Sequence, residues 1–537
     1  AAAPGPDALL GSVLGGEGGL NFTRDFVDLV ARPDDAFVAA VNLRSVAQAA
    51  PGALPKPLRF AVRAGGVASL GMPWAVIPLA KRTMRRIVGH LLVTAPIPAD
   101  PVDVARRPDA LGRALAQAAV PGAGQTLTVL GEPVLGPESA ERRLSLMRRI
   151  VGRPEAGHLS VRLGDLVPNL TGWGIDADAP RLVAALRPLL LDAIATGTRV
   201  TLEAGPYREH RLAPAVLMLA LADPELADAD LGLTVQAALP ESQAVLARIT
   251  RWSRDRVAEG RAPVHVRLVK GDLVGPETVE SILTGLPVPV LPSKRDTDAQ
   301  FQRLVDEALV PANAAAVRPV IASNNLFDLA FARELASRRA LLDGFDIEVM
   351  LGVSPAQAAA VAETCPAVRV YTPVVRPKDF EHAIDYLLAR VEDTANPESY
   401  LSAVADIAAD PAVFETERAR FASALRLASS GLGSGSHRLQ NRAREWDPSE
   451  RDSALFYRPP AEEQRFDTGG LTAAVLGLTR GSQGEVTLEP AGVPLRVPVV
   501  SETGFANEPD TDPVLPENRA WARRLLRRAA EYAPEFD

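Results

Sequence analysis

Ala262-Pro-Val-His-Val-Arg-Leu-Val-Lys270, followed by Gly271, is the stretch whose reading decides the fold. It reads as a buried β-strand that delivers two cations, Arg267 and Lys270, to its C-terminal end. A near-continuous apolar run suits a parallel strand covered on both faces. Cations at the carboxyl end of such a strand stand where an α/β barrel keeps its chemistry. The same residues also fit a strand that merely ends in solvated basic side chains, so the rest of the chain has to decide.

Seven further β-branched or apolar runs share this texture, giving runs at 126–130, 159–163, 198–202, 232–236, 264–269, 319–322, 346–350 and 368–371. Segments with apolar residues at helical spacing lie between them, such as 180–195 and 299–309, and a last one follows at 377–393. Strand and helix alternating eight times is the pattern of a (β/α)8 barrel, placed here at 121–425. Residues 1–120 are mostly helical in pattern, clearest at 22–41 and 84–92. Beyond the barrel, the Ser/Gly-rich stretch 429–436 opens a linker or irregular region at 426–500, in which 471–478 is the best structured candidate. A short terminal segment, 501–537, includes an Arg-rich helical pattern at 518–532.

A chain of 537 residues with 47% apolar and 23% charged residues belongs with globular proteins that bury a large core. A net charge of −8 and the lack of a basic tail argue against nucleic acid as the main ligand. The single cysteine, Cys365, excludes an intramolecular disulfide and reads as a core residue. Six scattered histidines without metal-ligand spacing point to no metal site. No apolar run reaches membrane-spanning length. The Ala/Gly-rich start carries neither the basic nor the apolar part of a secretion signal, and a cytoplasmic location is the expectation.

If the barrel holds, its strand ends converge on one mouth. They bring Arg162 and Asp165, Glu203 and Tyr207, Gln236, Arg267 and Lys270, Ser323 with Asn324 and Asn325, Glu348, and Tyr371, with Arg390 and Asp393 from the last helix. The set is rich in cations and amides and lacks a Cys nucleophile, a His base or a clustered acid pair. It suits an anionic or phosphate-bearing ligand better than hydrolysis.

The chain resembles the proline dehydrogenase domain of the bifunctional proline utilisation A flavoenzymes. The motifs that carry the resemblance run in order over about 20–425: Thr128-Val-Leu-Gly-Glu132, Val235-Gln236, Val266-Arg-Leu-Val-Lys-Gly271, Ser293-Lys-Arg-Asp-Thr-Asp298, Ser323-Asn-Asn-Leu-Phe-Asp328, Tyr371-Thr-Pro-Val-Val375 and Tyr386-Leu-Leu-Ala-Arg-Val391. The resemblance implies a distorted (β/α)8 barrel that binds FAD at the strand C-termini, with the eighth helix over the flavin. It implies oxidation of L-proline, or a related cyclic imino acid, to pyrroline-5-carboxylate. By resemblance, the cofactor residues are Arg267, Lys270, Gln236, Lys294, Thr297, Asn324 and Asp393. Arg390 would pair with the substrate carboxylate and Tyr371 would pack over its ring, while Arg162 and Glu203 stand at the family's lysine and aspartate positions.

The sequence departs from the family pattern at several of these places. The first of two adjacent helix-eight arginines is Ala389, leaving Arg390 alone. Asn324 replaces a histidine, Asp393 a glutamate, and Asp272 with Leu273 an aromatic pair. Gly205 and Pro206 replace acidic residues. Gly504-Phe-Ala-Asn-Glu-Pro-Asp-Thr-Asp512 with Asn518-Arg-Ala-Trp521 resembles the segment that opens the aldehyde dehydrogenase half of the same enzymes. The resemblance therefore implies an aldehyde dehydrogenase half or subunit as partner and quinone as electron acceptor. It leaves open a homo-oligomer and contact with the membrane periphery, although no amphipathic basic helix stands out in the sequence to support the latter. Two readings remain: a working FAD-dependent proline dehydrogenase with an incomplete carboxylate clamp, or a degraded barrel kept as a scaffold or regulatory partner of the aldehyde dehydrogenase.

Overall fold

The computed structural model describes residues 18–98, 109–430 and 435–438, apart from single positions within them, and a few positions between 479 and 523. Two compact units separate: residues 1–284 with 288–437, and residues 285–287 with 438–537.

The first unit contains the barrel. Its strands are β1 (Gly124–Leu130), β2 (His158–Arg162), β3 (Arg199–Glu203), β4 (Leu231–Gln236), β5 (Val264–Val269), β6 (Val317–Ala322), β7 (Asp346–Met350) and β8 (Val368–Val375). Each pairs in parallel with the next, and β8 closes on β1. The eight helices of the series are α1 (Pro137–Ile150), α2 (Ile175–Thr196), α3 (Leu212–Ala222), α4 (Ser242–Ala258), α5 (Lys294–Ala308), α6 (Leu326–Arg338), α7 (Pro355–Thr364) and α8 (Ile384–Ala395). The expected barrel is therefore present, with every strand where its run was read. The last helix is divided, however. Pro377–Ala383 is a 3-10 stretch and the α-helix begins only at Ile384.

Side-chain alternation builds two unlike surfaces. Leu127, Leu159, Val161, Val200, Leu233, Val266 and Ile347 face the helices and form one apolar core with Leu182, Leu186, Val216 and Phe301. The other face of each strand points into the barrel and is polar almost throughout. Thr126, His158, Arg199, Thr201, His265, Arg267, Asp346 and Glu348 bond one another across the lumen. The opening stretch thus corrects its own reading. The β5 strand is covered on both faces, but only Val264, Val266 and Leu268 are in apolar company, while His265 and Arg267 are held by lumen partners.

One close approach depends on glycine. Thr201 on β3 and His265 on β5 both lie opposite Gly232 on β4. A Cβ at Gly232 would come within 2.1 Å of the His265 carbonyl and 2.4 Å of its ring. Without one, the His265 ring reaches over β4 to bond Thr201 Oγ1 at 2.8 Å.

Before the barrel, helices Gly19–Asp25, Ala36–Gln48, Lys56–Ala68 and Pro73–Val88 and the π-helical Phe26–Ala31 form a separate small core around Leu43, Val46 and Ile77. A second cluster joins Val27 and Ala31 to Ile384, Leu387 and Val391 of α8. Arg32 and Arg24 add ion pairs to Asp385 and Glu392. After the barrel, helix Pro411–Ser430 packs Phe414 and Phe421 against Phe327 of α6. In the second unit, Thr479–Arg480, Val486–Leu488 and Leu495–Val497 make a three-stranded antiparallel sheet. The stretches 471–478 and 504–512 lie outside the described residues, and of 518–532 only Ala520 and Arg523 are described, both helical. Among the described residues no helix is long and apolar enough to cross a membrane.

Candidate active site

The C-terminal strand ends gather two clusters. The first is centred on Arg267, at the lumen face of β5. Its guanidinium donates to Glu348 of β7 and Glu203 of β3, each at 2.5 Å, and lies 4.6 Å from the centre of the Tyr371 ring on β8. The Tyr371 hydroxyl donates to Glu203 Oε2 at 3.4 Å, and Arg162 Nε stands 4.0 Å from the same oxygen. Arg162, Glu203, Arg267, Glu348 and Tyr371 therefore meet, four of them buried or nearly so and Arg162 exposed. Burial works against the charge on Arg267, but Glu348 and Glu203 outweigh it and raise its pKa further. Burial and then the Glu203 charge push the Tyr371 phenol up, so it stays protonated.

The second cluster is centred on Lys270, just beyond β5. Its ammonium bonds Asp298 of α5 at 2.6 Å and Asp328 of α6 at 2.8 Å, and sits 5.5 Å from the Phe301 ring centre. Lys294, at the start of α5, bonds the other oxygen of Asp298 one helical turn on. Burial would lower the Lys270 pKa; Asp328 and Asp298 overcome it and raise it. Ser323 donates to Asp328 at 2.8 Å, and Asn325 caps α6 through the Phe327 N–H.

Arg390 comes from α8. It approaches Met350 Sδ at 3.1 Å, pairs with Asp393 at 3.0 Å, and lies 5.7 Å from the Tyr386 ring centre. Met350 is the residue opposite Tyr371 in the β7–β8 register, so Arg390 is brought to the Tyr371 side of the mouth. Ala389 beside it adds no charge.

Several expectations change here. The mouth is not a surplus of cations. Arg267, Lys270, Lys294 and Arg390 are each met by a carboxylate, and the acids do cluster, Glu203 with Glu348 and Asp298 with Asp328. Asp393 is engaged with Arg390. Asn324 accepts the Met350 N–H at 2.9 Å and, through its carbonyl, the Gln357 amide, so it ties β7 and α7 to the β6 loop. Asp165 is held by Arg143 at 3.2 Å, and the Tyr207 N–H bonds Glu277. Asp298 and Asp328 were not singled out in the sequence. Their signals were present, as an acid four residues after Lys294 and the acid that ends the Ser323–Asp328 motif.

Among the described residues, the buried polar atoms at the mouth that have no protein partner include Gln236 Oε1, Thr297 Oγ1 and Glu348 Oε2. The Gln236 amide is fixed by donating to the Ala204 carbonyl at 3.2 Å, which leaves Oε1 as an open acceptor. Gly271, with φ +94°, runs directly beside it; a Cβ there would sit 2.5 Å from that oxygen. A fixed acceptor under a backbone without side chain, with a hydroxyl nearby in the motif order, fits the polar edge of a planar cofactor.

The family model for proline dehydrogenase matches residues 112–402, more than half of the 537. The chain belongs to the proline dehydrogenase family. Among solved structures it is similar to proline utilization A from Corynebacterium freiburgense, with 30% identity and a TM-score of 0.58 over 67% of this chain and 34% of that one. It also matches proline utilization A from Bdellovibrio bacteriovorus, inactivated by N-propargylglycine, at 19% identity and TM-score 0.61, covering 82% and 44%. The Bradyrhizobium japonicum protein matches at 23% identity and TM-score 0.52, covering 80% and 43%. The last two likenesses speak for the fold alone. This chain spans less than half the length of these relatives. No curated protein matches it.

Proposed function

We propose that the chain is an FAD-dependent proline dehydrogenase that oxidises L-proline to pyrroline-5-carboxylate in proline catabolism. The observation that carries this reading is the convergence of Tyr371, the Glu203–Arg267–Glu348 cluster and Arg390 at one barrel mouth, in a member of this family. When bound, FAD supplies the two-electron acceptor that none of these side chains can be. Gln236 and Thr297 offer it hydrogen-bond partners, Gly271 leaves the room, and Arg267 and Lys270 stand beside them, each held protonated by two carboxylates.

Arg390 takes the substrate carboxylate, competing with Asp393 for one guanidinium because Ala389 provides no second one. Tyr371, stacked on Arg267 and tied to Glu203, offers the substrate ring an immobile wall. Quinone would be the electron acceptor. The relatives described as bifunctional support an aldehyde dehydrogenase partner, on the same polypeptide or as a separate subunit. The internal pairing of every mouth cation named above favours a second reading, in which the barrel is a scaffold for that partner.

The visible spectrum of the purified chain, before and after anaerobic L-proline, separates the two. Flavin bands that bleach are the expected result. Bands that persist would assign another substrate, and a colourless protein that takes up no added FAD would leave the scaffold.

A further inference from the structure

Three arginines converge on one carboxylate at the N-terminal end of the barrel. Asp346, the first residue of β7, has a side chain only 4% exposed. It receives Arg199 of β3 at 2.7 Å on one oxygen and Arg318 of β6 at 2.5 Å on the other. Arg369 of β8 stops 3.9 Å from the oxygen that Arg199 holds. The other acids nearby are already engaged. Asp230 takes Arg199 Nε at 3.0 Å and His265 Nδ1 at 3.1 Å. Glu348 lies opposite Arg369 in the β7–β8 register, but its carboxylate goes to Arg267.

Arg369 is therefore the cation left over. Among the described residues it makes no hydrogen bond and no ion pair closer than that 3.9 Å contact. Burial and the neighbouring Arg199 charge pull its pKa below the ordinary value, and Asp346, Glu348 and Asp230 do not restore it. A solitary arginine would simply be hydrated; one set against two others on a shared acid carries charge that the fold does not balance. Its side chain is 25% exposed, and the glycines around it leave it open to solvent. Gly124, opposite it in the β1–β8 register, and Gly157, before β2, are both exposed. A Cβ at Gly124 would stand 3.4 Å from Arg369 Nη1, and one at Gly157 4.0 Å from it. A planar guanidinium with a free edge matches two oxygens of one anion.

We propose that the N-terminal rim of the barrel binds a small oxyanion, inorganic phosphate or a carboxylate, on the guanidinium of Arg369, with Arg199 and Arg318 adding attraction from the shared Asp346. The site lies at the end of the strands opposite the mouth, and the inference does not depend on the proposed activity. It was hidden in the sequence because Arg199, Arg318 and Arg369 stand on three separate strands, and only closure of the barrel brings them to one acid.

Thermal unfolding of the full chain in sodium phosphate, acetate and chloride at matched ionic strength tests it. Phosphate or acetate should raise the midpoint above that in chloride, because an anion held only by the folded chain stabilises it by mass action, and the larger rise tells which oxyanion fits better. Arg369→Gln should raise the anion concentration needed for half the effect roughly ten- to a hundredfold, the worth of hydrogen bonds to a charged group. General salting-out by phosphate would act on that variant as on the parent. Lys294→Gln, at the mouth, should leave the response unchanged. Gly124→Asp supplies a carboxylate beside Arg369, so it should raise the midpoint in chloride and remove the response to added oxyanion. No rise over chloride, a rise that Arg369→Gln leaves intact, a rise lost in Lys294→Gln, or a Gly124→Asp chain that responds like the parent overturns the proposal.

Discussion

The two ends of the barrel use the same residue types to opposite effect. At the floor, the N-terminal end of the strands, Thr126, His158, Thr201, His265 and Asp230 form one hydrogen-bonded chain at 3.1, 2.6, 2.8 and 3.1 Å. Each ring nitrogen of the two histidines has a partner. Beside them Asp346 receives Arg199 at 2.7 Å and Arg318 at 2.5 Å. At the mouth, by contrast, Gln236 Oε1, Thr297 Oγ1 and Glu348 Oε2 are buried and unbonded. Buried polar groups are ordinarily satisfied, so a satisfied network reads as architecture and an unsatisfied one as a place prepared for something else. The difference teaches that charge alone does not mark the active end of this barrel.

The largest test of that contrast is Asp346→Ala. It leaves Arg199 and Arg318 without their shared buried acid, and loss of one partner of such a pair typically costs about 3–5 kcal/mol. Urea unfolding should show that loss, while the folded fraction keeps its kcat for proline. An Asp346→Ala protein of normal stability, or one that is stable and inactive, breaks the division between floor and mouth. Arg390→Met is its counterpart. The Asp393 partner is 41% exposed, so stability should change by less than about 1 kcal/mol. The KM for proline should instead rise by roughly tens to several thousandfold, the ~2–5 kcal/mol of a desolvated charge pair with the substrate carboxylate.

The floor also makes stability depend on pH. Burial holds the floor residues His158 and His265 below the ordinary 6.5, and holds His210, which lies beyond β3 at the other end of the barrel, down to about 4. The unfolded chain therefore binds more protons than the folded one below 6.5. Stability is full above that value and should decline on acidification, for His210 until about pH 4. Each buried histidine contributes a slope of up to about 1.4 kcal/mol per pH unit. Urea midpoints taken between neutral pH and pH 5 check this. His158→Asn, which retains donor and acceptor, should flatten the slope, and an unchanged slope would remove His158 from the account.

Much of the fold was legible because each strand run is bounded and alternates with a helix long enough to cover it. Arg267 and Lys270 were legible as strand-end cations. The pairs they make were not, because Glu348, Asp298 and Asp328 are brought in from β7, α5 and α6, and pairing across a closed barrel leaves no mark in local spacing. The polar lumen was half written: Val-His-Val-Arg-Leu alternates, but His265 is recognisable as an interior residue only once Gly232 and Thr201 are placed around it. The break in the last helix at Ile384 is equally silent, since Pro377 is compatible with a first helical turn of either kind.

The finest test is Thr297→Val, which changes a hydroxyl for a methyl of similar size. If Thr297 Oγ1 is unbonded only in the absence of a ligand, removing it should leave the cofactor-free chain equally stable, or more stable by up to ~1–3 kcal/mol, because a buried unsatisfied group disappears. The same change should weaken FAD retention by roughly two- to tenfold, the ~0.5–1.5 kcal/mol of one hydrogen bond. Equilibrium FAD binding followed by quenching of flavin fluorescence, beside urea unfolding of the cofactor-free protein, measures both. A Thr297→Val variant that is less stable yet binds FAD as before would make Thr297 a packing residue like those of the floor. The mouth would then owe its incompleteness to Glu348 and to Gln236, whose amide cannot turn away without giving up the Ala204 carbonyl.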